Sequence, residues 1–455
     1  MKKNVRVLIT DNVISNMGDA AILLAMKSSF EEAFGPGTDV RNCYCGVTRE
    51  AGPFAKFYPE LHFTSTLWNA GRDWTIAKWD IWGRLIRKTA TERFPLQARL
   101  RRMGFPLFLL TSHERELFRE FEEADIISVA GGACLSTSWT VPFMRKSRVA
   151  QYQVAHALGK PLFVYAHSLG PFRDGDNFPD LLHDSLDHAA AVLCRDAEAV
   201  KAAREQIKLL GDNVHQTIDE ALRIIPRPPS KLLAPEKKKP LRVGICVHDY
   251  IWPGAADRPA KQADFEARIA RVCQSLLERG DTELVFLTSH QKVEGSFQDD
   301  EPVGRRIQEL LPAPLRPDAH HVTGFVHPRE FSYFMGHCDL VLSSRLHGGI
   351  LSLVGGAPVV VLEYEPKSRG LMRQIGLEDW VLTMADATSD EITAKITELL
   401  SDLPKTRERA RAGLAEGQKL AKRNIEIVVE AAQAHWAKSE RGVLPSRVSQ
   451  AESKP

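Results

Sequence analysis

The feature that most constrains the fold is a glycine-rich helix signal between two short apolar runs in the C-terminal half. The runs 339–342 and 359–362 are mainly aliphatic, which predicts two buried strands. The residues between them predict one helix, which starts after Arg345 and ends at the glycine pair 355–356, before a proline. The pattern therefore predicts a strand-helix-strand unit of an open parallel sheet.

The start of this helix carries groups suited to binding an anion. The first N–H groups of a helix have no partner within it, and Gly348 and Gly349 let a ligand approach the backbone. Arg345 adds a planar guanidinium, and His347 can exchange a proton near neutral pH. Lys367 follows the next strand, and the carboxyl ends of adjacent parallel strands line one crevice. Together they predict a phosphate and carboxylate site, whereas each residue alone is as consistent with packing or a surface charge.

The same stretch resembles a known family. The run 345–348, the turn 356–358, the spacing 364–367 and the stretch 371–377 are similar to the C-terminal signature of the polysaccharide pyruvyltransferases. Those enzymes use phosphoenolpyruvate to build a pyruvate ketal on a sugar. The resemblance covers most of the chain in pieces, apart from an unmatched insertion at about 68–118.

A weaker match to this family lies near the N-terminus. A strand predicted at 5–9 is followed by Asn16, Gly18 and Asp19 at the entry of a helix. The motif GxGxxG is absent, so a dinucleotide site is not supported. The resemblance implies an acceptor-sugar role for this trio, and Asp19 is equally consistent with a charge that favours the helix dipole.

Further matches lie where three later strands are predicted to end. The resemblance implies site roles for Gly131, Gly132, His167 and Ser168, and Arg195 stands at the end of the next predicted strand. His167 stands where the family has a Gln-Ser or His-Ser pair before Gly-Pro, so it is a permitted variant. Arg195 is a candidate second arm for the ligand's anionic groups, and a surface ion pair with Asp196 is the competing interpretation.

The resemblance implies a division of roles. Ketal formation needs cations on the donor's phosphate and carboxylate, an acid for its C3 methylene and a base for the sugar hydroxyls. We predict that His347 binds the donor or delivers the proton, and that Asp19, His167 or Glu365 serves the acceptor hydroxyls. The predicted substrate-binding residues are Asn16, Gly18, Gly131, Gly132, Ser168, Arg195, Arg345, Leu346, Gly348, Gly349 and Lys367.

Charge and cysteine content exclude several classes. The 60 basic and 58 acidic residues give a net charge of +2, which argues against a general nucleic-acid binder. The seven cysteines form no CxxC pair, which favours reduced thiols and no metal site. We expect no cofactor, with phosphoenolpyruvate as co-substrate and a glycan or lipid-linked sugar as acceptor.

Residues 68–118 combine four tryptophans with a basic run and the apolar stretch 105–110. Such a mixture is typical of a membrane-surface element. The interpretation that we favour is an insertion whose tryptophans pack onto the domain. The N-terminus does not resemble a signal peptide and no stretch is long enough to span a membrane, so we expect a cytoplasmic protein, with peripheral contact at the inner face of the membrane left open.

The domain order follows from a proline-rich charged connector. We predict an N-terminal Rossmann-like domain on the acceptor side at 1–225, a linker at 226–240, a donor-binding Rossmann-like domain at 241–403, a helix at 404–438 and a disordered tail at 439–455. The fold class is α/β, with two doubly wound domains facing a cleft and a C-terminal crossing helix, as in glycosyltransferase-B proteins.

Two other functions stay open at this stage. A nucleotide-sugar glycosyltransferase of the same fold would use the helix start for a diphosphate, but would need a base-binding pocket that the sequence does not locate. A non-catalytic scaffold in polysaccharide assembly is the other alternative. The acceptor sugar, the linkage and the oligomeric state cannot be read from the sequence.

Overall fold

The computed structural model describes residues 4–14, 16–44, 55–64, 67, 81–137, 140, 142–231, 233–250, 252, 255–289 and 299–440. The strands are β1 (Arg6–Asn12), β2 (Asp39–Tyr44), β3 (His62–Thr64), β4 (Ile126–Val129), β5 (Gly132–Leu135), β6 (Leu162–Leu169), β7 (Ala191–Cys194), β8 (Val214–Gln216), β9 (Leu241–Cys246), β10 (Thr282–Phe286), β11 (Ala319–His321), β12 (Leu340–Ser343), β13 (Val359–Glu363) and β14 (Val381–Thr383). The helices are α1 (Met17–Phe34), α2 (Ile81–Arg102), α3 (Ser112–Glu123), α4 (Pro142–Ala157), α5 (Phe178–Leu186), α6 (Ala197–Lys201), α7 (Arg258–Glu278), α8 (Glu301–Leu310), α9 (Pro328–Met335), α10 (Leu346–Gly355), α11 (Pro366–Gln374), α12 (Ser389–Ser401) and α13 (Leu403–Glu440).

The chain divides into two compact units, and each unit is built from segments that are not continuous in sequence. Unit 1 comprises residues 1–14, 26–219 and 422–455, and unit 2 comprises residues 15–25 and 220–421. Helices α1 and α13 therefore each contribute residues to both units. The predicted linker 226–240 lies within unit 2, where Lys237 Nζ is 2.6 Å from a carboxylate oxygen of Asp339.

The sheet of unit 1 is parallel and runs in the order β3-β2-β1-β4-β6-β7-β8, with β5 paired to β6. Every residue of β6 is buried. A parallel strand covered on both faces must be apolar almost throughout, which explains the unbroken aliphatic and aromatic runs of this half.

The sheet of unit 2 is also parallel and runs in the order β11-β10-β9-β12-β13-β14. The strand order reverses between β9 and β12. Ligands of doubly wound sheets bind at such a reversal, outside the carboxyl ends of the strands. The predicted strand-helix-strand unit is confirmed, because α10 connects β12 to β13 and ends at Gly356 in a left-handed conformation with φ of 102°.

Three local predictions need correction or fall outside the described residues. The strand before Gly131 does not end in a simple glycine turn, because Gly132 already begins β5. The last helix extends to Glu440, so the first two residues of the predicted tail are helical, and 441–455 lie outside the described residues. The predicted packing of the tryptophans in 68–80 falls outside them as well. In the part of the chain that is described, no helix is long and apolar enough to cross a bilayer.

Candidate functional site

The start of α10 lies at the strand-order reversal of unit 2. Arg345 is the residue that precedes the helix, in an extended conformation, and its carbonyl accepts a 3.1 Å bond from the N–H of Gly349. Gly349 was predicted to bind the substrate, but this bond uses its N–H within the helix. The Arg345 N–H donates to Ser343 Oγ at 3.3 Å, so the donors suited to an anion are the N–H groups of the first turn between Arg345 and Gly349.

Arg345 makes a bidentate ion pair that the sequence did not predict. Its Nε and Nη2 donate to the two carboxylate oxygens of Asp300 at 3.0 and 2.9 Å. The Asp300 side chain is buried, with 2% of its surface exposed, and the Arg345 side chain is nearly so, with 11% exposed. Burial raises the pKa of the Asp300 carboxyl to about 6, against the opposing charge of Arg345. Asp300 therefore fixes the guanidinium that the sequence assigned to the ligand.

Gly348 is required by packing as well as by any ligand. A Cβ added to it would lie 2.6 Å from both Cys246 Sγ and Ser343 Oγ, at the ends of β9 and β12. Real Cβ atoms do not approach other atoms so closely. Gly349 differs, because its Cβ would make ordinary contacts of 3.4 and 3.7 Å with two valines of β13. The first glycine thus lets the helix sit directly on the strand ends.

The glycine pair gives a matched prediction. We expect Gly348→Ala to destabilise the protein by roughly 1–2 kcal/mol, because an overpacking cost of about 1–3 kcal/mol exceeds the helix propensity gained. Gly349→Ala should change stability by less, or increase it slightly. Thermal melts of both variants check this, and equal melting temperatures would contradict the packing role of Gly348.

His347 lies against the start of α1. A Cβ added to Gly18 would fall 2.1 Å from His347 Nδ1 and 2.3 Å from its Cγ, so the glycine backbone packs on the imidazole. The Gly18 N–H donates to the side-chain oxygen of Asn16 at 2.8 Å, which fixes the entry to α1. Asp19 is half-buried in the first turn of the same helix. The structure therefore brings together two stretches that the sequence had assigned to the acceptor side and the donor side.

A buried histidine supports the loop that precedes α10. His248 follows β9, and its Nδ1 lies 2.6 Å from Ser344 Oγ. The His248 ring is 4.9 Å from the ring of Tyr364, and Tyr250 lies 4.8 Å from the same tyrosine. His248 is 1% exposed, so its side chain is buried beneath this loop. Asp249, in contrast, forms a half-exposed pair with Arg258 at 3.1 Å.

Lys367 lies close to the aromatic rings at the end of β13. Its ammonium pairs with the Glu365 carboxylate and lies 5.6 Å from the Tyr364 ring centre. Both charged side chains are partly exposed, at 22% and 29%. Burial and the Glu365 charge raise the pKa of Tyr250 to about 12, so this phenol stays protonated at neutral pH. Lys367 therefore offers a positive charge at the surface of the site, beside a carboxylate.

The predicted residues of unit 1 form a buried network. His167 is fully buried, its Nδ1 donates to the Ala130 carbonyl at 2.8 Å, and its Nε2 accepts the Leu135 N–H at 3.1 Å. Burial lowers the pKa of His167 to about 3. Both ring nitrogens are occupied and the ring is neutral, so this geometry does not support the predicted role of His167 as a base.

Arg195 and Ser168 belong to the same network. Arg195 Nε donates to Ser168 Oγ at 2.7 Å, and its Nη1 donates to Asp219 at 2.6 Å. Ser168 in turn donates to Asp196 at 2.6 Å, while Asp196 caps α6. Arg195 is 5% exposed. The predicted second arm for a ligand is therefore an internal ion pair, which also replaces the surface pair with Asp196.

Three residues of the site in unit 2 were missed or undervalued by sequence reasoning. Asp300 precedes a helix after a polar stretch, and nothing local to it points to Arg345. His248 and Tyr364 follow strands of the sheet, as do the residues that were chosen, so their positions were the available signal. The rule that strand ends converge would have found both.

Solved structures with the same architecture match almost the whole chain. A UDP-N-acetylglucosamine 2-epimerase is 13% identical, with a TM-score of 0.55, and the match covers 100% of each chain. A glycosyltransferase from Rickettsia africae is 11% identical, with a TM-score of 0.56, covering 96% of this chain and 100% of that one. At these identities the likeness concerns the fold alone, and it confirms the predicted fold class of two Rossmann-like, glycosyltransferase-B-like domains.

Sequence comparison gives two further matches. A family model described as "Polysaccharide pyruvyl transferase" matches residues 16–366. The amylovoran biosynthesis protein AmsJ of Erwinia amylovora is 22% identical over 250 residues, which are 53% of this chain. The match spans 59% of the length of that relative. The family model begins at Asn16 and ends at Pro366, so it takes in both Gly18 and His347.

Proposed function

Because this chain belongs to the polysaccharide pyruvyl transferase family, we propose that it moves the pyruvyl group of phosphoenolpyruvate onto two hydroxyls of a sugar in a polysaccharide or its precursor. The products are a cyclic ketal and inorganic phosphate. The acceptor is a glycan or a lipid-linked sugar, and the protein acts in the cytoplasm. The similarity to AmsJ, a protein of amylovoran biosynthesis, supports a role in making an exopolysaccharide.

The contact between Gly18 and His347 carries this proposal. Each residue lies in the first turn of its helix, and each belongs to a stretch that resembles the family. Their contact joins an ionisable imidazole to a helix start that favours anions. A site that must protonate an anionic donor needs both features in one place.

The reaction balances with one proton relayed to carbon. One hydroxyl proton ends on the C3 methylene of phosphoenolpyruvate, which becomes a methyl group, while that hydroxyl oxygen bonds to C2. The second hydroxyl oxygen then bonds to C2 as the bond from C2 to the phosphate oxygen breaks. The second proton leaves with the phosphate. The enzyme therefore needs an acid near C3, a base near the hydroxyls and positive groups near the departing phosphate.

The residues of unit 2 fit these roles. His347 is the acid for C3, and the first N–H groups of α10 together with Lys367 hold the anionic groups of the donor. Arg345, held by Asp300, contributes its charge from a fixed position. Glu365 lies beside Lys367 on the more exposed side, where it can accept a proton from a sugar hydroxyl. These roles leave out His167 and Arg195, whose polar atoms are used inside unit 1.

Ligand protection in thermal melts tests the proposal. We expect phosphoenolpyruvate to stabilise the full chain, by about 2.7 kcal/mol at a hundred times its dissociation constant. Gly18→Ala should weaken that protection, since the new methyl group would push away His347 and with it the first turn of α10, whose N–H groups hold the donor. Gly370→Ala is the matched control, because a Cβ there would meet no atom within 4 Å.

Two results of these melts would contradict the proposal. Protection by a nucleotide sugar and not by phosphoenolpyruvate would favour a glycosyltransferase. Equal protection of wild type and Gly18→Ala would remove the Gly18 and His347 contact from the donor site. Release of phosphate from phosphoenolpyruvate on addition of an acceptor glycan then identifies the acceptor.

A further inference from the structure

Exposed hydrophobic side chains are concentrated in one stretch of unit 1. Among the described residues, seven large hydrophobic side chains are exposed, and four of them fall between residues 96 and 108. They are Leu96, Met103, Phe105 and Phe108, with 47%, 65%, 48% and 57% of their surface exposed. Single exposed apolar residues are common on soluble proteins, whereas a cluster marks an interaction surface.

The segment 103–108 that carries three of these side chains, here called the apolar loop, is held in a defined conformation. Gly104 ends α2 with φ of 93°, and the Phe105 N–H donates back to the Leu100 carbonyl at 3.1 Å. The fully buried Gln97 donates to the Pro106 carbonyl at 2.9 Å and accepts the Leu109 N–H at 2.9 Å. A buried amide thus clamps both arms of the loop.

The same segment divides into an anchored part and a presented part. Leu107 packs against the hydrophobic core, and Leu110 is buried within it. Residues 102–106 are all exposed. Buried contacts and the Gln97 hydrogen bonds therefore hold apolar side chains in solvent. Exposing them to water is unfavourable unless a partner covers them.

Exposed positive charges precede the apolar loop on α2. Arg102 precedes it and Arg99 lies one turn earlier on α2, and both are exposed. Beside them a groove of 380 Å³ runs between α2 and α4, lined by Leu96, Arg99 and the exposed Lys146, with Glu92 as an acidic residue on its wall. Arg101 is paired with Glu122 at 2.6 Å and does not add to this charge.

We propose that the apolar loop and the basic groove beside it dock this protein on the surface of an anionic membrane. Met103, Phe105 and Phe108 enter the boundary between headgroups and acyl chains, and Arg99, Arg102 and Lys146 contact lipid phosphates. Charge complementarity favours a bilayer, because exposed aromatic and thioether side chains next to exposed cations match the apolar interior and the anionic headgroups of a leaflet. The proposal concerns unit 1 alone and is independent of the pyruvyl transfer reaction.

Vesicle flotation of the full chain tests this surface. We expect binding to vesicles of phosphatidylcholine mixed with phosphatidylglycerol, weak binding to phosphatidylcholine alone, and release at high salt. Phe105→Ser with Phe108→Ser should reduce binding by about tenfold or more, and Arg99→Gln with Arg102→Gln should do so only on the anionic vesicles. The matched control is Leu210→Ser with Leu310→Ser, which removes two exposed leucines elsewhere, 78% and 55% exposed.

Three results would overturn the proposal. The first is an absence of binding to anionic vesicles by the wild-type chain. The second is equal binding by the phenylalanine variant and the leucine control. The third is a wild-type dimer in sedimentation velocity that the phenylalanine variant converts to a monomer, since the surface would then join two copies of this chain. Unchanged melting temperatures of the variants show that each is folded.

Discussion

Replacing His347 with glutamine is expected to lower the rate of pyruvyl transfer by about 10² to 10⁴-fold, the range for loss of a positioned acid or base. Glutamine preserves much of the volume against Gly18 but cannot deliver a proton. Phosphate release from phosphoenolpyruvate with a glycan acceptor measures the rate. Protection of the variant by phosphoenolpyruvate should persist, because the helix start and Lys367 are unchanged.

The matched control for this variant is His337→Gln. His337 is exposed after α9, where its Nδ1 lies 2.8 Å from the Tyr333 carbonyl, and it belongs to the same unit. Its replacement should leave the rate unchanged. A His347→Gln enzyme with wild-type turnover would exclude the imidazole as the acid, and a loss of protection without loss of turnover at saturating donor would assign it to binding.

Of the substitutions described for this protein, removal of Asp300 is expected to lower the free energy of unfolding the most. Asp300→Ala deletes the carboxylate that accepts two bonds from the buried Arg345, and breaking one side of such a pair costs about 3–5 kcal/mol. Glu378→Ala is the control, since its bidentate pair with Arg373 is exposed and screened by solvent, so its loss should change stability little. Urea unfolding of the two variants measures the difference.

A double variant separates what the ion pair contributes to stability from what the volume of the two side chains contributes. Asp300→Leu with Arg345→Met replaces both charges by apolar groups, which often restores or exceeds the stability of the ion pair. We expect it to be more stable than Asp300→Ala and to bind phosphoenolpyruvate poorly. A small effect of Asp300→Ala would mean that Arg345 reaches solvent easily, and its assignment as a fixed charge would then fail.

Local patterns predicted the elements better than the contacts between them. The helix after Arg345 follows from an aliphatic run, a glycine pair and a proline, all within about twenty residues. Its ion pair depends on Asp300, 45 residues earlier in the chain, and no periodicity reports such a distance. Gly348 was singled out because glycine lets a ligand approach the backbone, and the sequence could not show that Cys246 and Ser343 fill the space beside it.

The geometry does not support the roles predicted for His167 and Arg195 in unit 1, for a related reason. A polar residue at the end of a parallel strand either faces a ligand or satisfies a buried backbone group, and sequence position is the same in both cases. His167 satisfies buried backbone groups, since its ring nitrogens bond the Ala130 carbonyl and the Leu135 N–H. Arg195 is also used inside the protein, where it pairs with the buried carboxylate of Asp219. Burial decides between the two, and burial depends on packing from distant parts of the chain.

The residues of α1 are divided between the two units, and this division limits how the halves of such proteins can be exchanged. The turn that carries Gly18 is N-terminal in sequence but belongs with His347 in unit 2. A chimera made by exchanging residues 241–403 between relatives would bring in a new histidine loop and keep the old glycine turn facing it. We therefore expect such a chimera to keep its stability only when the glycine turn and the histidine loop are exchanged together.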